Sequence, residues 1–280
     1  MFHKFYSMRK HTKILDRSLN ALGIGSGGEV FDSGEEIAFN ILLKNSYFSN
    51  KTSFCIFDVG ANVGKYTTLC LRHMGGGGAN TSQNKNTLDF KIHCFEPSRY
   101  TFEKLLQTHS NNEKVILNNF GLSNAETKAT LYSNADGSGL ASLTKRRLDH
   151  FNIDFNKTEQ IQLSTLDTYC KAQSISHIDL LKLDVEGHEL DVLDGAKVMF
   201  ANKAIDMVTF EFGGCNIDTR TFFQDFWYFF SKNDMAIYRI LPNATLYHID
   251  SYRETDEQFI TTNYIAITKK CKIDKDMLAR

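Results

Sequence analysis

The sequence predicts an α/β fold with a mostly parallel seven-stranded sheet, and three observations support this prediction. Short apolar runs alternate with amphipathic helical patterns from Phe54 to residue 231. Repeated strand–helix units of this kind form parallel sheets with right-handed crossovers. A glycine-bearing turn joins the first strand to the first helix of this series. The chain ends in strand-like segments around Pro242-Asn243, which predicts an antiparallel hairpin at one edge.

The segment before the first strand is predicted to be helical. A basic helix is expected over residues 1–22, ended by Gly23, and a glycine-rich joint follows at residues 24–28. A second helix is expected from Ser33 to Asn45, because the acids that follow Ser33 favour a helix start. We therefore divide the chain into an N-terminal helical extension, residues 1–30, and one α/β domain, residues 31–280.

The remaining elements follow from hydrophobic periodicity. Strands are expected at residues 54–59, 90–96, 114–119, 178–184 and 207–212, and helices at 63–74, 98–109, 165–172, 188–202 and 219–231. Strand-like pieces at 129–132 and 160–163 flank a polar loop. The last strands are expected at 236–241, 245–249 and 264–268.

Composition argues against several classes of protein. A hydrophobic share of 42% with 22 Phe supplies a large core, and the formal charge of −1 leaves no basic footprint for nucleic acid. The six cysteines are scattered without a C-x-x-C pair, which predicts reduced thiols in a cytoplasmic protein. We expect neither a signal peptide nor a membrane span, because no apolar run reaches about 18 residues.

The first motif is the segment Phe57–Thr67, FDVGANVGKYT. Asp58 ends a strand, Gly60 and Gly64 permit a tight turn, and the following helix presents backbone N–H groups to a ligand. The spacing D-x-G-x-x-x-G lacks the glycine that contacts a pyrophosphate in G-x-G-x-x-G. It therefore favours a cofactor without pyrophosphate, such as S-adenosylmethionine. A purely structural turn is the alternative.

The second motif is the alternating strand that ends in Glu96. In nucleotide-binding α/β folds an acidic residue here binds the ribose hydroxyls, about 20 residues past the glycines. Gly60 and Glu96 are 36 positions apart, but the polar tract 75–87 resembles an inserted loop of 13 residues. Without this loop the spacing is 23 positions, close to the expected value. We therefore expect Glu96 to bind ribose, with a helix cap as the alternative.

A third group of polar residues follows the apolar strand that begins at Ile178. Asp184, Glu186, His188 and Glu189 stand within six positions of one another. Ligands gather at the carboxyl ends of parallel strands, where this group is expected to lie. First-turn acids favoured by the helix dipole are the structural alternative. Four such groups together favour a functional site.

Six segments in this order resemble the FkbM-type methyltransferases: DVGANVGKYT, FEP, NNFGLSN, STLDTYC, LLKLDVEGHELDVLDGA and VTFEFGG. The resemblance spans roughly residues 35–268. It implies a class I Rossmann-like fold and S-adenosylmethionine as the cofactor. It also implies methyl transfer to a hydroxyl, mostly of sugars, glycolipids or macrolides.

Carried over by position, the resemblance implies two sets of site residues. The cofactor set is Asp58, Gly60, Ala61, Asn62, Gly64, Tyr66, Thr67, Glu96, Pro97, Ser98, Asn119, Gly121 and Asp184. The catalytic set is Asp184, Glu186, His188 and Glu211. His188 stands where family members vary, which argues against an essential general base there.

The chemistry requires that an acceptor hydroxyl be positioned and deprotonated. Asp184 and Glu211 should lie side by side, where they either orient the cofactor amino group or the acceptor, or hold a divalent metal. We favour the arrangement without metal. The expected function is S-adenosylmethionine-dependent O-methylation of a sugar, glycan or glycolipid precursor. The alternatives are a nicotinamide-dependent or non-catalytic Rossmann-like protein, and a methyltransferase acting on protein or RNA.

The aromatic segment at residues 221–230 leaves almost no polar face if it is helical. A helix that is apolar all round must be covered on all sides. The terminal hairpin, residues 1–22 or a second subunit would cover it, so a monomer and a homodimer are both open.

Overall fold

The computed structural model describes residues 2–75 and 88–279, with side chains from residue 8 onward. The predicted loop at 75–87 therefore lies, apart from Gly75, outside the described residues. The strands are β1 (Ser53–Val59), β2 (Asp89–Phe95), β3 (Val115–Asn118), β4 (Gly121–Leu122), β5 (Thr127–Ser133), β6 (Lys157–Ser164), β7 (Ile178–Leu183), β8 (Ile205–Phe212), β9 (Met235–Ile240), β10 (Leu246–Ile249) and β11 (Thr262–Thr268). The helices are α1 (Phe2–Ala21), α2 (Ile37–Lys44), α3 (Lys65–Met74), α4 (Arg99–His109), α5 (Leu166–Ala172), α6 (Glu189–Asp194), α7 (Lys197–Ala201), α8 (Gly214–Thr219) and α9 (Phe223–Lys232).

The main sheet has eight strands in the order β10-β9-β11-β8-β7-β1-β2-β3. The five strands from β3 to β8 are parallel, whereas β11, β9 and β10 pair antiparallel. The predicted mostly parallel sheet with an antiparallel C-terminal edge is confirmed, and the strand count is eight rather than seven. The strand order reverses between β1 and β7. Ligands bind at such a switch point in open α/β sheets.

Helices cover both faces of the sheet and create two cores. One core packs α2, α3 and α4 on side chains such as Ile56 and Leu180, and the other packs α5, α6, α7 and α9 on Phe57 and Leu181. Strand β7 is buried at every residue, which explains its nearly continuous apolar sequence. Lys182 is a charged exception within this strand and is 5% exposed.

A second sheet of three strands, in the order β4-β6-β5, was not predicted. The expected strand pieces at 129–132 and 160–163 are parts of β5 and β6, which pair antiparallel over seven positions. Leu131, Ile161 and Leu163 form its small apolar cluster. Their sequence pattern indicates strands, but it carries no information on which sheet the strands join.

Three predicted helices differ from the structure. The helix expected from Ser33 begins only at Ile37, because the Ser33 hydroxyl is buried against Glu35 instead of capping a helix. The helix expected over 188–202 is divided into α6 and α7 around Gly195, where a Cβ would overlap the carbonyl oxygen of Ser123. The helix expected over 219–231 begins only at Phe223, as α9. The short helix α8 before it was not predicted, and it ends at Arg220, which adopts a left-handed conformation with φ 61°.

Helix α9 is amphipathic, with one face buried against the sheet and the other exposed in the single chain. Phe223, Phe226 and Phe230 are fully buried, and Phe226 stacks on Phe210 of β8 with ring centroids 4.7 Å apart. Tyr228 on the opposite face is 64% exposed. The α1 helix does not provide the expected cover, because its described side chains are exposed almost throughout. A second subunit on the outer face of α9 stays a prediction.

The sequence predicted reduced cysteine thiols and no membrane-spanning helix. All six cysteines are free thiols, and five of them are buried. Within the described ranges, the helices are too short or too polar to cross a lipid bilayer.

Candidate functional site

The turn between β1 and α3 is tied to two neighbouring strands. The backbone N–H groups of Gly60 and Ala61 both donate to the carbonyl of Phe95, at 3.0 Å. Gly60 has φ 77°, and a Cβ there would overlap the carbonyl oxygen of Asp184 after β7. Gly64 lies against His109 of α4 and permits close helix packing instead of lining a cavity. The turn thus requires glycine at position 60 because of its backbone conformation and the close approach of Asp184.

A buried ionic group lies beneath this turn. The Asp58 carboxylate is fully buried, accepts a hydrogen bond from the Thr67 hydroxyl at 2.7 Å, and lies 3.2 Å from Lys182 Nζ. Lys182 also lies 3.2 Å from Asp184 Oδ2 and donates to Gly60 O at 3.3 Å. Asp58 and Thr67 are therefore supports of the turn. Their side chains do not contact a ligand cavity.

Lys182 stays charged although it is buried. Burial disfavours the ammonium form, but Asp184 and Asp58 outweigh burial and hold the pKa of Lys182 above its usual range. No motif in the sequence marks Lys182 as a site residue. A lysine inside the apolar run from Leu180 to Leu183 is nevertheless a signal of a buried ion pair.

The first cavity at the carboxyl edge of the sheet has a volume of about 410 Å³. Asn62 of the turn, Asp184 and Glu211 line it, which places three of the predicted site residues together. Strands β7 and β8 are neighbours with Leu183 paired to Phe210, so Asp184 and Glu211 lie side by side as expected. The opposite wall comes from residues 27–30, Glu35, Thr261 and Asn263, which were not predicted.

Glu186 also lines the first cavity and is held by Arg146. Its carboxylate lies 2.6 Å from Arg146 Nη1, and Arg146 Nε lies 3.5 Å from Asp218. Burial, with a contribution from Asp184, raises the pKa of Glu186 to about 8, and Arg146 opposes this shift. Arg146 comes from a loop with no sequence motif. Its role is visible only from its neighbours in space.

Glu211 is a further carboxylate of this cavity with a perturbed pKa. Burial and the nearby charges of Asp184 and Glu186 raise its pKa well above the usual range. Among the described residues, the cluster placed to hold a metal ion is His177, Asp179 and Asp206, at the other end of the strands. There Lys51 Nζ already contacts both aspartates. Within the described residues, Asp184 and Glu211 do not form a three-residue cluster of metal-binding side chains with a further carboxylate or histidine.

A second, narrower cavity of about 80 Å³ adjoins the first one. Its walls are largely apolar, with Val59, Phe95, Leu122, Leu131, Ile161 and Leu163. Gly60, Asn62, Asp184 and Glu186 line both cavities, so the two form one continuous cleft.

Glu96 is placed at the second cavity with its carboxylate fixed by the backbone. It accepts from the N–H groups of Asn62 at 3.0 Å and Ser98 at 2.9 Å. Burial raises the pKa of Glu96 to about 7, although these two hydrogen bonds act to lower it. The Asn119 side-chain amide donates to the carbonyls of Glu96 at 2.9 Å and Pro97 at 3.2 Å. Asn119 thus holds the Glu96 turn in place, while Pro97 and Gly121 line the cavity.

His188 is the catalytic candidate that lines the second cavity but not the first. It lines the second cavity, with Nδ1 2.8 Å from Asp191 and Nε2 3.0 Å from the Thr144 hydroxyl. Both ring nitrogens therefore have partners, which agrees with a positioning role. Glu189 is fully buried and accepts from the N–H groups of Val185 and Gly187, so it closes the turn after β7.

Two buried hydroxyls of the first cavity have no hydrogen-bond partner within the described residues. They are Tyr66 Oη and Thr209 Oγ1, each on a residue that is 2% exposed. The two hydroxyls lie close enough to interact with each other, and the cavity leaves room for a ligand to complete their hydrogen bonding. The cleft as a whole suits a ligand with an apolar ring, vicinal hydroxyls and a charged tail.

Comparisons with known proteins agree with this geometry. A family model described as "Methyltransferase FkbM domain" matches residues 58–236. No curated protein sequence matches the chain.

Three solved structures resemble this chain, each with low sequence identity and a low TM-score. The Methanococcus jannaschii fibrillarin pre-rRNA processing protein has 10% identity and a TM-score of 0.37, over 78% of this chain and 68% of that one. The methyltransferase domain of bacterial CtHen1 has 11% identity and a TM-score of 0.37, over 83% and 98% of the two chains. The small RNA methyltransferase HEN1 has 12% identity and a TM-score of 0.36, over 86% and 26%.

The family match carries more weight, because it spans more than half of the 280 residues and includes both the turn after β1 and the residues after β7. The chain therefore belongs to the FkbM methyltransferase family.

Proposed function

We propose that this protein is an S-adenosylmethionine-dependent O-methyltransferase that acts on a hydroxyl of a sugar, glycan or glycolipid precursor. Family membership supports methyl transfer over the nicotinamide-dependent and non-catalytic alternatives. The observation that carries the proposal is the two-part cleft, in which an apolar slot beside Glu96 adjoins a carboxylate-rich cavity beside Asp184 and Glu211.

The residues of the cleft fit this cofactor. The apolar slot suits an adenine ring, and Glu96 is placed to accept hydrogen bonds from ribose hydroxyls. The Gly60 turn leaves room for close backbone approach, and the unpartnered Tyr66 hydroxyl offers a polar contact. When bound, the cofactor supplies an activated sulfonium methyl group. The protein must therefore position the acceptor and accept its proton.

The acceptor side is assigned to Asp184, Glu186 and Glu211. Glu211 lines the first cavity beside Asp184 and forms no ion pair within the described residues, so its deprotonated carboxylate is placed to act as a base. Glu211 accepts the hydroxyl proton in this mechanism. Arg146 fixes the Glu186 side chain, which can then orient the acceptor through a hydrogen bond.

The polarity of the first cavity supports a polyhydroxylated acceptor. Carboxylates and the Asn263 amide line it, and such groups accept hydrogen bonds from hydroxyls. A formal charge of −1 leaves little attraction for RNA, which disfavours that alternative. Lys182 already neutralises Asp184, so the arrangement favours chemistry without a bound divalent metal.

Glu96 provides the first test. In a folded Glu96→Ala protein, calorimetry should show a roughly 10–150-fold weaker affinity for S-adenosylhomocysteine, because a charge-assisted hydrogen bond is worth about 1.5–3 kcal/mol. The matched control is Glu103→Ala on the exposed side of α4, which should bind as the wild type does. Unchanged affinity in Glu96→Ala would remove Glu96 from the site.

The substrate class needs a separate measurement. Transfer of a tritiated methyl group should be followed onto a panel of sugars, sugar nucleotides and glycolipids, with RNA and protein as the competing substrates. Preferential labelling of RNA or protein would contradict the glycan assignment and leave the cofactor assignment intact.

A further inference from the structure

One wall of the first cavity is built by a segment outside the family match. Residues 23–36, here called the strap, connect α1 to α2 and cross the carboxyl edge of the sheet. The strap is anchored by hydrogen bonds from Gly27 N to Thr261 O at 3.2 Å and from Gly25 N to Thr262 Oγ1 at 3.1 Å. Because the family match begins at residue 58, it assigns nothing to the strap.

Glu35 is the charged residue that the strap places deepest in the site. It lines the first cavity, is 7% exposed, and accepts a hydrogen bond from the buried Ser33 hydroxyl at 2.8 Å. The sequence suggests a helix-start acid here, but α2 begins at Ile37 with Glu36 at its N-cap. Burial raises the pKa of Glu35 to about 7, and Lys182 opposes this shift. Helix capping therefore does not explain a carboxylate at this place.

Carboxylates outnumber cations in this cavity. Its cationic residues are already paired, Lys65 with Glu29, Arg146 with Glu186, and Lys182 with Asp58 and Asp184. Glu35 and Glu211 remain, and within the described residues neither forms an ion pair. Carboxylates without a cationic partner attract positive charge, so the imbalance favours a ligand that carries a cation.

Two buried hydroxyls with no hydrogen bond of standard geometry within the described residues are a second observation. Tyr66 Oη and Thr209 Oγ1 are buried and line the same cavity as Glu35. Glu35 is also close enough to Lys182 to contribute to its electrostatic environment, which puts it on the side of the Gly60 turn. A group with several N–H donors would satisfy hydroxyl and carboxylate oxygens together.

We propose that Glu35 binds the α-ammonium group of the methionyl moiety of S-adenosylmethionine. This inference rests on the proposed function and adds a cofactor ligand from outside the family domain. The ammonium group supplies both the positive charge and the donors that the first cavity lacks. The strap thus completes the cofactor site by adding a carboxylate to the Gly60 turn and Asp184.

The test compares two ligands that differ at the amino-acid end. S-adenosylhomocysteine carries the ammonium group, whereas 5′-methylthioadenosine keeps the nucleoside and thioether without it. By calorimetry, Glu35→Gln should weaken S-adenosylhomocysteine binding roughly 10–100-fold, as loss of a charge-assisted hydrogen bond does, and should leave 5′-methylthioadenosine within about twofold. The matched control is Glu36→Gln, which removes the neighbouring carboxylate and should change neither affinity.

Several results would overturn the assignment. Equal S-adenosylhomocysteine affinity in Glu35→Gln and wild type would remove Glu35 from the site, and parallel loss of both ligands would show a general effect on the pocket. If Glu35→Gln fails to fold, Glu35→Asp should show the same selective loss, because it withdraws the carboxylate by one methylene. A wild type that binds neither ligand would reject the proposed function itself.

Discussion

Replacing Lys182 by Met should destabilise the protein strongly, because it removes the cation beneath the turn between β1 and α3. Lys182 Nζ lies 3.2 Å from Asp58 Oδ1 and 3.2 Å from Asp184 Oδ2. The Asp58 side chain is 0% exposed and that of Lys182 is 6% exposed. Methionine fills a similar volume without charge, so the change isolates the electrostatic contribution.

The magnitude depends mainly on Asp58. Breaking a buried ion pair by removing one partner costs roughly 3–5 kcal/mol, because the remaining charge has no compensation. Asp184 contributes less, since its side chain is 38% exposed and water can replace the lysine. We therefore expect a loss of about 3–5 kcal/mol, a large part of the roughly 5–15 kcal/mol that stabilises a typical domain.

Urea unfolding followed by circular dichroism measures this loss. The double variant Asp58→Asn/Lys182→Met should be more stable than Lys182→Met alone, because it also removes the orphaned charge. Lys203→Met is the control, since its ion pair with Asp234 is exposed and should contribute at most about 1 kcal/mol. A loss below about 1 kcal/mol in Lys182→Met, or no recovery in the double variant, would refute this reasoning.

Two further predictions concern the acceptor side and the far end of the strands. Glu186→Gln should reduce turnover much more than cofactor affinity, and His188→Ala should reduce turnover less than Glu186→Gln does. If Glu186→Gln loses turnover and cofactor affinity in parallel, the acceptor-side assignment is contradicted. Burial raises the pKa of Asp206, but hydrogen bonding to His177 and the charge of Lys51 outweigh burial and hold it below its usual range. The stability from Asp206 is therefore present above its unfolded pKa of about 4 and lost as the pH falls below it. Melting temperatures of Asp206→Asn should accordingly depend less on pH below about 4 than those of wild type, and equal slopes would contradict this assignment.

Much of the backbone geometry around the Gly60 turn was predictable because its signals are local. The strand–turn–helix unit around Gly60 and the strand that ends in Glu96 follow from periodicity and turn chemistry, which act over a few residues. The position of Asp184 beside Glu211 follows from the strand order of a parallel sheet. These predictions needed no knowledge of side-chain contacts. The helix boundaries at Ser33 and Gly195 were wrong, because buried packing and not propensity decided them.

The sequence by itself determined the fold class, the binding edge of the sheet and the carboxylates that stand there. Only the tertiary structure decided which of these carboxylates are neutralised. Lys182 is 124 positions from Asp58, and Glu35 reaches the cavity from a segment before the first strand. Charge compensation depends on distance in space and on burial, and neither quantity is encoded in local patterns.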